Sequence, residues 1–411
     1  MMRNVAVVGA GMTRFGKFLD RGLKDLGREA VEGALESAGV DKSALQVAIV
    51  GNAVAGLVTG QEMVRAEVIL REMGLGGIPM VNTENACASS STAFHLAWLY
   101  VASGMYDVAL ALGVEKLYHE DKKRSFAAIG AAVDVEIMQK ILAAASADRK
   151  PAGEQKQEGA AGAGESRSVF MDLYAALARD HMRRYGTTKE QYARIAEKNH
   201  FNGSLNPHAQ YRERYTVEEI LASPPVADPL TRLMCSPIGD GAAAVVLCSE
   251  EKARQLTTKP IWVRASVLTT GQDHGPDEPG IGDRVSASAY EMAGLGPEDV
   301  SLAELHDATA PAELVLYEEM DFCPRGEGGR LIDDGETALG GRLPVNTSGG
   351  LISKGHPIGA TGTAQIYEVF LQLRGEAGER QVAGAKVGLT ENGGGMIRGE
   401  NAVASVHILS L

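Results

Sequence analysis

Apolar residues fall along this chain in short unbroken blocks, separated by stretches in which they recur every three or four positions. Val5–Val8, Val47–Gly56, Tyr106–Leu117 and the "GAAAVVLCS" segment ending at Ser249 are blocks of the first kind. An unbroken apolar run of this length bounded by glycine reads as a strand buried on both faces. Asp25–Gly39 is of the second kind: its apolar positions share one helical face and it stops at a glycine. "VFMDLYAALARDHMRRYG" and "TKEQYARIAEKNH" read as further helices, and "EEKARQL" as a helix following the strand that ends at Ser249. Strands alternating with helices predict an α/β layered fold with mostly parallel sheets.

The order of segments repeats. "VAIVGNAV", "NTENACASSSTAFHLAWLYVASG" and "VALALGVEK" occur in sequence in the first half; "LAELHDAT", "NTSGGLISKGHPIGATGTAQIYEVFLQLRG" and "AKVGLTENGGG" occur in the second. Each half opens an Asn-Thr pair into a serine- or glycine-rich turn and then a helix. A duplicated unit whose two halves contribute loops to one shared site follows from that order. Residues 118–229 form an excursion from the first half. Within it, 143–166 is rich in Ala, Gly, Glu and Lys and poor in large apolar residues, the composition of a mobile surface loop.

Composition narrows the possibilities. At 411 residues the chain is long enough for two core-sized units. Aromatics make up only 5% while glycine reaches 49 residues, which suits closely approaching backbones. A net charge of −13 argues against a nucleic-acid surface. No apolar run approaches the roughly 18 residues of a membrane span, and the N-terminus lacks a signal-peptide apolar stretch, so a cytoplasmic location is expected. The four cysteines, Cys87, Cys235, Cys248 and Cys323, form no CxxC pair, so neither a zinc site nor a disulfide framework is expected.

Four stretches carry groups suited to chemistry. Cys87 sits where small polar residues give way to an apolar helix, and a helix N-terminus favours a thiolate and lowers a thiol pKa. Read alone, Cys87 is either a nucleophile or a buried structural cysteine. His356 lies in "NTSGGLISKGHPIGATG", where clustered glycines force a defined turn; it is a base held at a fixed angle, or an incidental residue in a phosphate loop. His306 and Asp307 follow an apolar strand end, facing a ligand crevice or lying on the surface. In "TENGGGMIRG", Glu391 and Asn392 precede three glycines whose N–H groups suit an oxyanion hole or a tight turn. The N-terminal "VAVVGAGMTRFG" imitates a dinucleotide fingerprint but has Arg14 at the third glycine position, so nicotinamide binding is not expected. His95 and Trp98 read as helix body, and the other three cysteines as structural.

Taken in order, "VAVVGAGMTRFGK", "ENACASSS", "KNHFNGSLNPHAQ", "PLTRLMCSPIGDGAAAVVL", "HDAT", "SKGHPIGATG" and "ENGGG" resemble the thiolase superfamily, in particular the sterol-carrier-protein type and its bacterial and archaeal relatives. The resemblance implies a five-layered αβαβα fold of two duplicated halves, 1–117 with 230–255 and 256–411, with 118–229 as an inserted loop domain that helps bind coenzyme A. It implies Cys87 as acyl-accepting nucleophile, His356 as its base, the N–H groups of Cys87 and Gly393 around one oxyanion, and His306 with His356 around the thioester enolate oxygen.

The activity implied is cleavage of a 3-ketoacyl-CoA by CoA, a co-substrate rather than a resident cofactor, with the Claisen condensation as its reverse. A homodimer or dimer of dimers is implied, and some relatives act with a small OB-fold and zinc-ribbon partner on bulky or aromatic substrates of the benzoylsuccinyl-CoA type. The chain departs from the family at two places. The second cysteine of ordinary thiolases is replaced by Glu391, and the cysteine that can follow His-Asp in the sterol-carrier-protein type is Ala308. Glu391, or a water held by His306, is then the replacement acid/base, or Glu391 is a turn residue. Loss of that cysteine also leaves open a thiolase-fold lyase working by retro-aldol chemistry on side-chain CoA thioesters. A non-catalytic scaffold would be expected to lose Cys87 or His356.

Overall fold

The computed structural model describes residues 2–140, 168–256, 259–275 and 278–411; the expected loop over 143–166 lies outside them. The first apolar block becomes β1 (Val5–Met12), followed by a helix, Leu23–Ala38, closed by Gly39 in the left-handed region (φ 64°). β2 (Val47–Gly51), β3 (Met80–Thr83), β4 (Val108–Glu115) and β7 (Gly241–Ser249) complete the strands of the first half. β8 (Ile261–Thr270), β9 (Leu302–Glu304), β10 (Val387–Gly394) and β11 (Val403–Ser410) form the second. β5 (Pro225–Ala227) and β6 (Leu230–Thr231) pair by themselves.

The larger sheet runs β3-β2-β4-β7-β1-β8-β11-β10-β9. The duplication is visible in its hydrogen bonding. β2 pairs with β4 in parallel, and β4, β7 and β1 follow in antiparallel steps; β9 pairs with β10 in parallel, and β10, β11 and β8 follow in antiparallel steps. The halves meet where Ala6 and Val7 of β1 pair with Trp262 and Ile261 of β8. The expectation of mostly parallel sheets is therefore corrected: only β3/β2, β2/β4 and β9/β10 run in parallel. A strand covered on both faces is uniformly apolar whichever way its neighbour runs, so the apolar blocks carried no information on direction.

Burial on both faces follows from strand periodicity. Along β1, Val5 and Val7 enter one core, while Ala6 and Val8 enter another on the opposite face; along β4, Ala109 and Ala111 alternate with Leu110 and Leu112 in the same way. The outer core on this side is closed by Leu26, Ala30, Val31 and Ala34 of the first helix. Ile281–Ala293 closes the matching face of the second half with Val285 and Ala289. Between the halves lie two central helices, Ser89–Ala102 and Thr361–Arg374, which bury Phe94, Ala97, Ile366 and Phe370 in one shared core. The order is helix, sheet, helices, sheet, helix. Fully burying a Phe, Ile, Leu or Val among these stabilises by about 1.5–3 kcal/mol relative to leaving it exposed.

Glycines set the closest approaches. A Cβ on Gly11 would lie 2.3 Å from the backbone N of Ala34, so the "VGAGM" pattern exists to let the first helix lie against β1. Between the central helices a Cβ on Gly362 would come within 2.0 Å of Ser91 Oγ and 2.6 Å of its backbone N.

The excursion leaves from the first half in sequence but packs on the second. Tyr192, Ile195 and Ile220 share a core with Leu314, Tyr317 and Leu331. Buried polar contacts fasten it: Lys198 donates to Glu313 (2.5 Å) and to the carbonyl of Val345 (2.7 Å), and Asn199 donates to Asp307 (2.8 Å).

Gly362→Val is expected to destabilise the fold by about 2–3 kcal/mol through overpacking against Ser91, read as a lower denaturant midpoint at unchanged m-value. An unchanged midpoint would show that the two central helices separate without cost.

Candidate active site

The nucleophile candidate is held by a turn built from its own neighbours. Ala86 adopts a left-handed conformation (φ 47°), which costs a non-glycine residue roughly 1–2 kcal/mol. Glu84 Oε1 accepts the Ala86 N–H at 2.7 Å, and Ser89 Oγ accepts the Asn85 N–H at 3.0 Å, so the strain is offset locally. Cys87 then stands one residue before the cap of the Ser89–Ala102 helix, facing a cavity of about 810 Å³.

The second half brings the histidines. His306 follows β9, and the next residue, Asp307, accepts backbone N–H groups of Leu351 (2.6 Å) and Ile352 (3.3 Å), fixing the 306–308 turn against the loop before His356. The two imidazole rings lie 5.2 Å apart, inclined at 72°. The Cys87 sulfur and one ring nitrogen from each histidine lie within 4.8 Å of one another. Among the described residues, this trio is the grouping with donor atoms close enough to hold a metal ion.

The hydrogen bonds specify tautomers. Thr361 Oγ1 donates to the carbonyl of Pro357 (3.2 Å), so at 2.8 Å it accepts from His356 Nδ1–H. That leaves the His356 Nε2 lone pair as the free basic site. His306 Nε2 is buried with no hydrogen-bond partner, a cost tolerated where a ligand completes the site.

Burial dominates the electrostatics. It pushes the Cys87 thiol up to about 12, with the charges of Glu115 and Glu84 adding to the effect; the N–H groups of Gly395 and of Cys87 itself act the other way without overcoming it. The expectation that the helix N-terminus lowers this pKa is therefore corrected: desolvation outweighs the helix end. Burial, together with His306 and Lys354, holds His356 well below its ordinary value, and burial holds His306 at about 4. The resting site is a neutral thiol beside two neutral imidazoles. Such a site avoids the cost of desolvating an ion pair until a substrate arrives to use one.

Gly393 lines the same cavity, as does Gly395. Glu391, on β10, is buried, and its carboxylate accepts the His306 backbone N–H at 3.2 Å; burial raises it to about 8. It lines a second cavity rather than the one holding Cys87. Ala308 lines the Cys87 cavity beside His306. Of the two Asn-Thr pairs, Asn82 caps a surface helix through the Ala66 N–H (2.8 Å), whereas Asn346 is buried and bridges Leu305 N–H (2.9 Å) and Glu313 (2.8 Å).

Sequence reasoning missed three contributors. Thr361 sits five residues beyond His356 in the same glycine-rich turn. Glu115 ends an otherwise apolar strand and accepts N–H groups from Ala53 (3.1 Å), Val54 (3.3 Å) and Gly359 (2.9 Å). Tyr174 reaches the cavity from the Val169–Tyr185 helix. The signal for Glu115 was available, a carboxylate closing a strand of small apolar residues; Tyr174 had none.

Residues 5–251 match the family model described as thiolase, N-terminal domain, and residues 282–410 match that of the thiolase C-terminal domain-like family. The chain is 42% identical over 415 residues to an acetyl-CoA acetyltransferase of Methanothermobacter thermautotrophicus, covering 100% of both. It is 36% identical to the benzoylsuccinyl-CoA thiolase subunit BbsB of Thauera aromatica over 97% of each chain. Among solved structures, the Ltp2-ChsH2(DUF35) aldolase superposes with a TM-score of 0.76 at 25% identity, covering 99% of this chain and 97% of that one.

Thr361→Val is expected to release the His356 tautomer and lower kcat roughly fivefold, the loss of a hydrogen bond worth about 1 kcal/mol, with KM little changed and Thr361→Ser restoring the rate. Equal kcat in the valine variant would remove Thr361 from the base. Because the thiol pKa lies near the top of the accessible range, alkylation of Cys87 in the resting protein should rise about tenfold per pH unit from pH 7 to 10 without levelling. A plateau below pH 9 would reveal a standing thiolate–imidazolium pair instead.

Proposed function

The chain belongs to the thiolase family, and from that premise we propose that Cys87, His356, His306 and Gly393 form the catalytic centre of a thiolase working through an acyl-Cys87 intermediate. The protein is an acyltransferase with acyl-CoA and CoA as its substrates, cleaving a 3-ketoacyl-CoA. The observation that carries the residue assignment is the meeting of the Cys87 sulfur with the two histidines inside 4.8 Å, with His306 Nε2 left unpartnered.

Binding of the ketoacyl group brings the keto carbon to the neutral thiol. His356 Nε2 takes the thiol proton as the sulfur attacks, so no free thiolate accumulates. The N–H groups of Cys87 and Gly393 hold the tetrahedral oxygen. The Cα–Cβ bond breaks, leaving the acyl group on sulfur and the electron pair in a thioester enolate, whose oxygen is held by His306 and His356. Glu391 is assigned the proton exchange at the α-carbon: burial keeps it protonated near neutral pH, and its hydrogen bond to the His306 backbone places it directly behind that residue. Since Glu391 lines the second cavity and not the one holding Cys87, a water held by His306 is assigned to carry the proton between them. A CoA thiol then takes the acyl group, its proton restoring Glu391 while His356 returns its own to the departing Cys87 sulfur, and run backwards the centre condenses two acyl-CoA molecules.

Lys17, Arg65, Lys122 and Arg232 line the Cys87 cavity and are assigned to the CoA phosphates. Residues 118–229 are read as the loop domain, inserted between 1–117 with 230–255 on one side and 256–411 on the other, in a homodimer or dimer of dimers with no resident cofactor. A small OB-fold and zinc-ribbon partner is proposed on two grounds: BbsB is named as a subunit, and the superposed aldolase carries a DUF35 component in its name. No helix among the described residues is long and apolar enough to cross a membrane, and a cytoplasmic location is proposed.

The test is intact-mass spectrometry of wild type and Cys87→Ser after exposure to 3-ketoacyl-CoA esters without free CoA. An acyl adduct on wild type, absent from the variant, is expected. Substrate cleavage with no adduct on any ester would overturn the acyl-enzyme reading in favour of retro-aldol chemistry.

A further inference from the structure

Cys87, His306 and His356 are also a metal-ligand set. The sulfur and one ring nitrogen of each histidine lie within 4.8 Å of one another. Tetrahedral zinc holds sulfur at about 2.3 Å and imidazole nitrogen at about 2.0–2.1 Å, which sets neighbouring donors roughly 3.3–3.8 Å apart. Side-chain rotation moves donor atoms by the difference of about 1 Å. The nitrogens are prepared for a ligand: His306 Nε2 is buried without a partner, and the His356 Nε2 lone pair is free because Nδ1–H is donated to Thr361 Oγ1 (2.8 Å). Metal-binding imidazoles are oriented in the same way, through a hydrogen bond from the other ring nitrogen.

Three donors leave a tetrahedral ion one position short. The co-substrate supplies it: to attack the acyl carbon bonded to Cys87, the CoA sulfur comes within about 3–3.5 Å of that carbon, and so stands beside the trio. A thiol that coordinates a metal is deprotonated outright. Two thiolates balance a dication and two neutral imidazoles add nothing, so the assembly with CoA carries no net charge, and burial penalises net charge. Without CoA one positive charge remains. Glu84, on the cavity wall, and the buried Glu115 put negative charge near Cys87; Lys354 opposes them from the side of His356, but is paired with Glu304 at 3.4 Å.

We propose that Cys87, His306 and His356, completed by the CoA sulfur, form an inhibitory site for a thiophilic dication of the zinc type. The three protein ligands stand on their geometry; the fourth rests on the thiolase reading. The ion takes the sulfur lone pair that attacks the keto carbon, the nitrogen that receives the thiol proton and the nitrogen that holds the enolate oxygen, so one binding event stops every step. Two thiol protons leave to solvent and nothing is oxidised. Magnesium and calcium, which take oxygen ligands, do not suit the donor set. Cysteine spacing does not reveal such a site, because its protein ligands come from three separate loops and its last ligand from the co-substrate.

The probe is Co²⁺, added to metal-free wild type and Cys87→Ser, each alone, with CoA and with desulfo-CoA, and followed by its thiolate charge-transfer absorption. A band is expected in wild type and not in Cys87→Ser; CoA strengthens it and tightens Co²⁺ binding at least roughly tenfold, whereas desulfo-CoA does neither. Cys87→Ser with CoA reads the cobalt that CoA takes in solution. Zn²⁺ is expected to inhibit turnover of wild type reversibly, with a chelator restoring the rate, and Mg²⁺ at the same concentration to leave it unchanged. A band missing from wild type, or surviving in Cys87→Ser, overturns the site. A Cys87-dependent band that CoA does not move, in protein whose Cys87 is acylated by a 3-ketoacyl-CoA ester, overturns the site with CoA and leaves the thiolase reading standing. A Cys87-dependent band that CoA strengthens, in protein that no ester acylates, upholds the site while the acyl-enzyme reading falls.

Discussion

One buried carboxylate joins the two halves at the point where chemistry needs them joined. Glu115, at the end of β4, accepts N–H groups from Ala53 and Val54 in the first half and from Gly359 in the second, with Asn52 Nδ2 adding a further bond at 3.0 Å. Gly359 is three residues beyond His356, and Cys87 lies close enough to Glu115 for the carboxylate's charge to raise its pKa. A carboxylate taken out of water without such bonds would cost several kcal/mol; here each bond that offsets the cost also ties a loop. His356 of one half is thereby fixed relative to Cys87 of the other, although they belong to separate units of the duplication.

The same buried environment explains why the centre rests uncharged. A thiolate–imidazolium pair would have to recover its desolvation cost from Coulomb attraction alone, and the positive Lys354 near His356 works against the imidazolium. Lys354 is itself fully buried beside Glu304 (3.4 Å), so it is a fixed part of the scaffold. In the proposed mechanism, charge then appears only when a substrate oxygen is present to receive a hydrogen bond from His306. Reactivity is coupled to occupancy, and a resting thiol of this kind is poorly reactive toward adventitious electrophiles.

Elements whose information is local were legible in the sequence. The first helix and its glycine cap, the four apolar strands and the turn before Cys87 all follow from spacing and residue type, and His306 and His356 were singled out from a strand end and a glycine cluster, whereas Gly393 was named only through the family resemblance. Strand direction was not legible, because Ala109–Leu112 would look the same beside a neighbour of either sense. The thiol pKa was misjudged for a related reason: a helix N-terminus is visible in sequence, whereas the desolvation that overrides it depends on which distant segments close over the cavity. Thr361 and Glu115 act through hydrogen bonds that only the assembled turns define.

The duplication also shows how a repeated sequence pattern acquires unequal jobs. Both Asn-Thr pairs lead into turns toward a central helix, the first as the last two residues of β3 and the second just after the bridge of Val345 to Ala303, yet Asn82 is exposed and caps its neighbour, while Asn346 is buried and holds β9's exit against Glu313. The difference arises from what covers each turn. The second is overlaid by the excursion, whose Lys198 and Asn199 complete the polar network around Asp307 and Glu313. The half that carries the histidines is thus the half that the excursion clamps. A base and an oxyanion donor must hold their angles through the reaction, whereas a nucleophile has only to swing its sulfur into reach, so the rigidity is placed where the geometry tolerates least error.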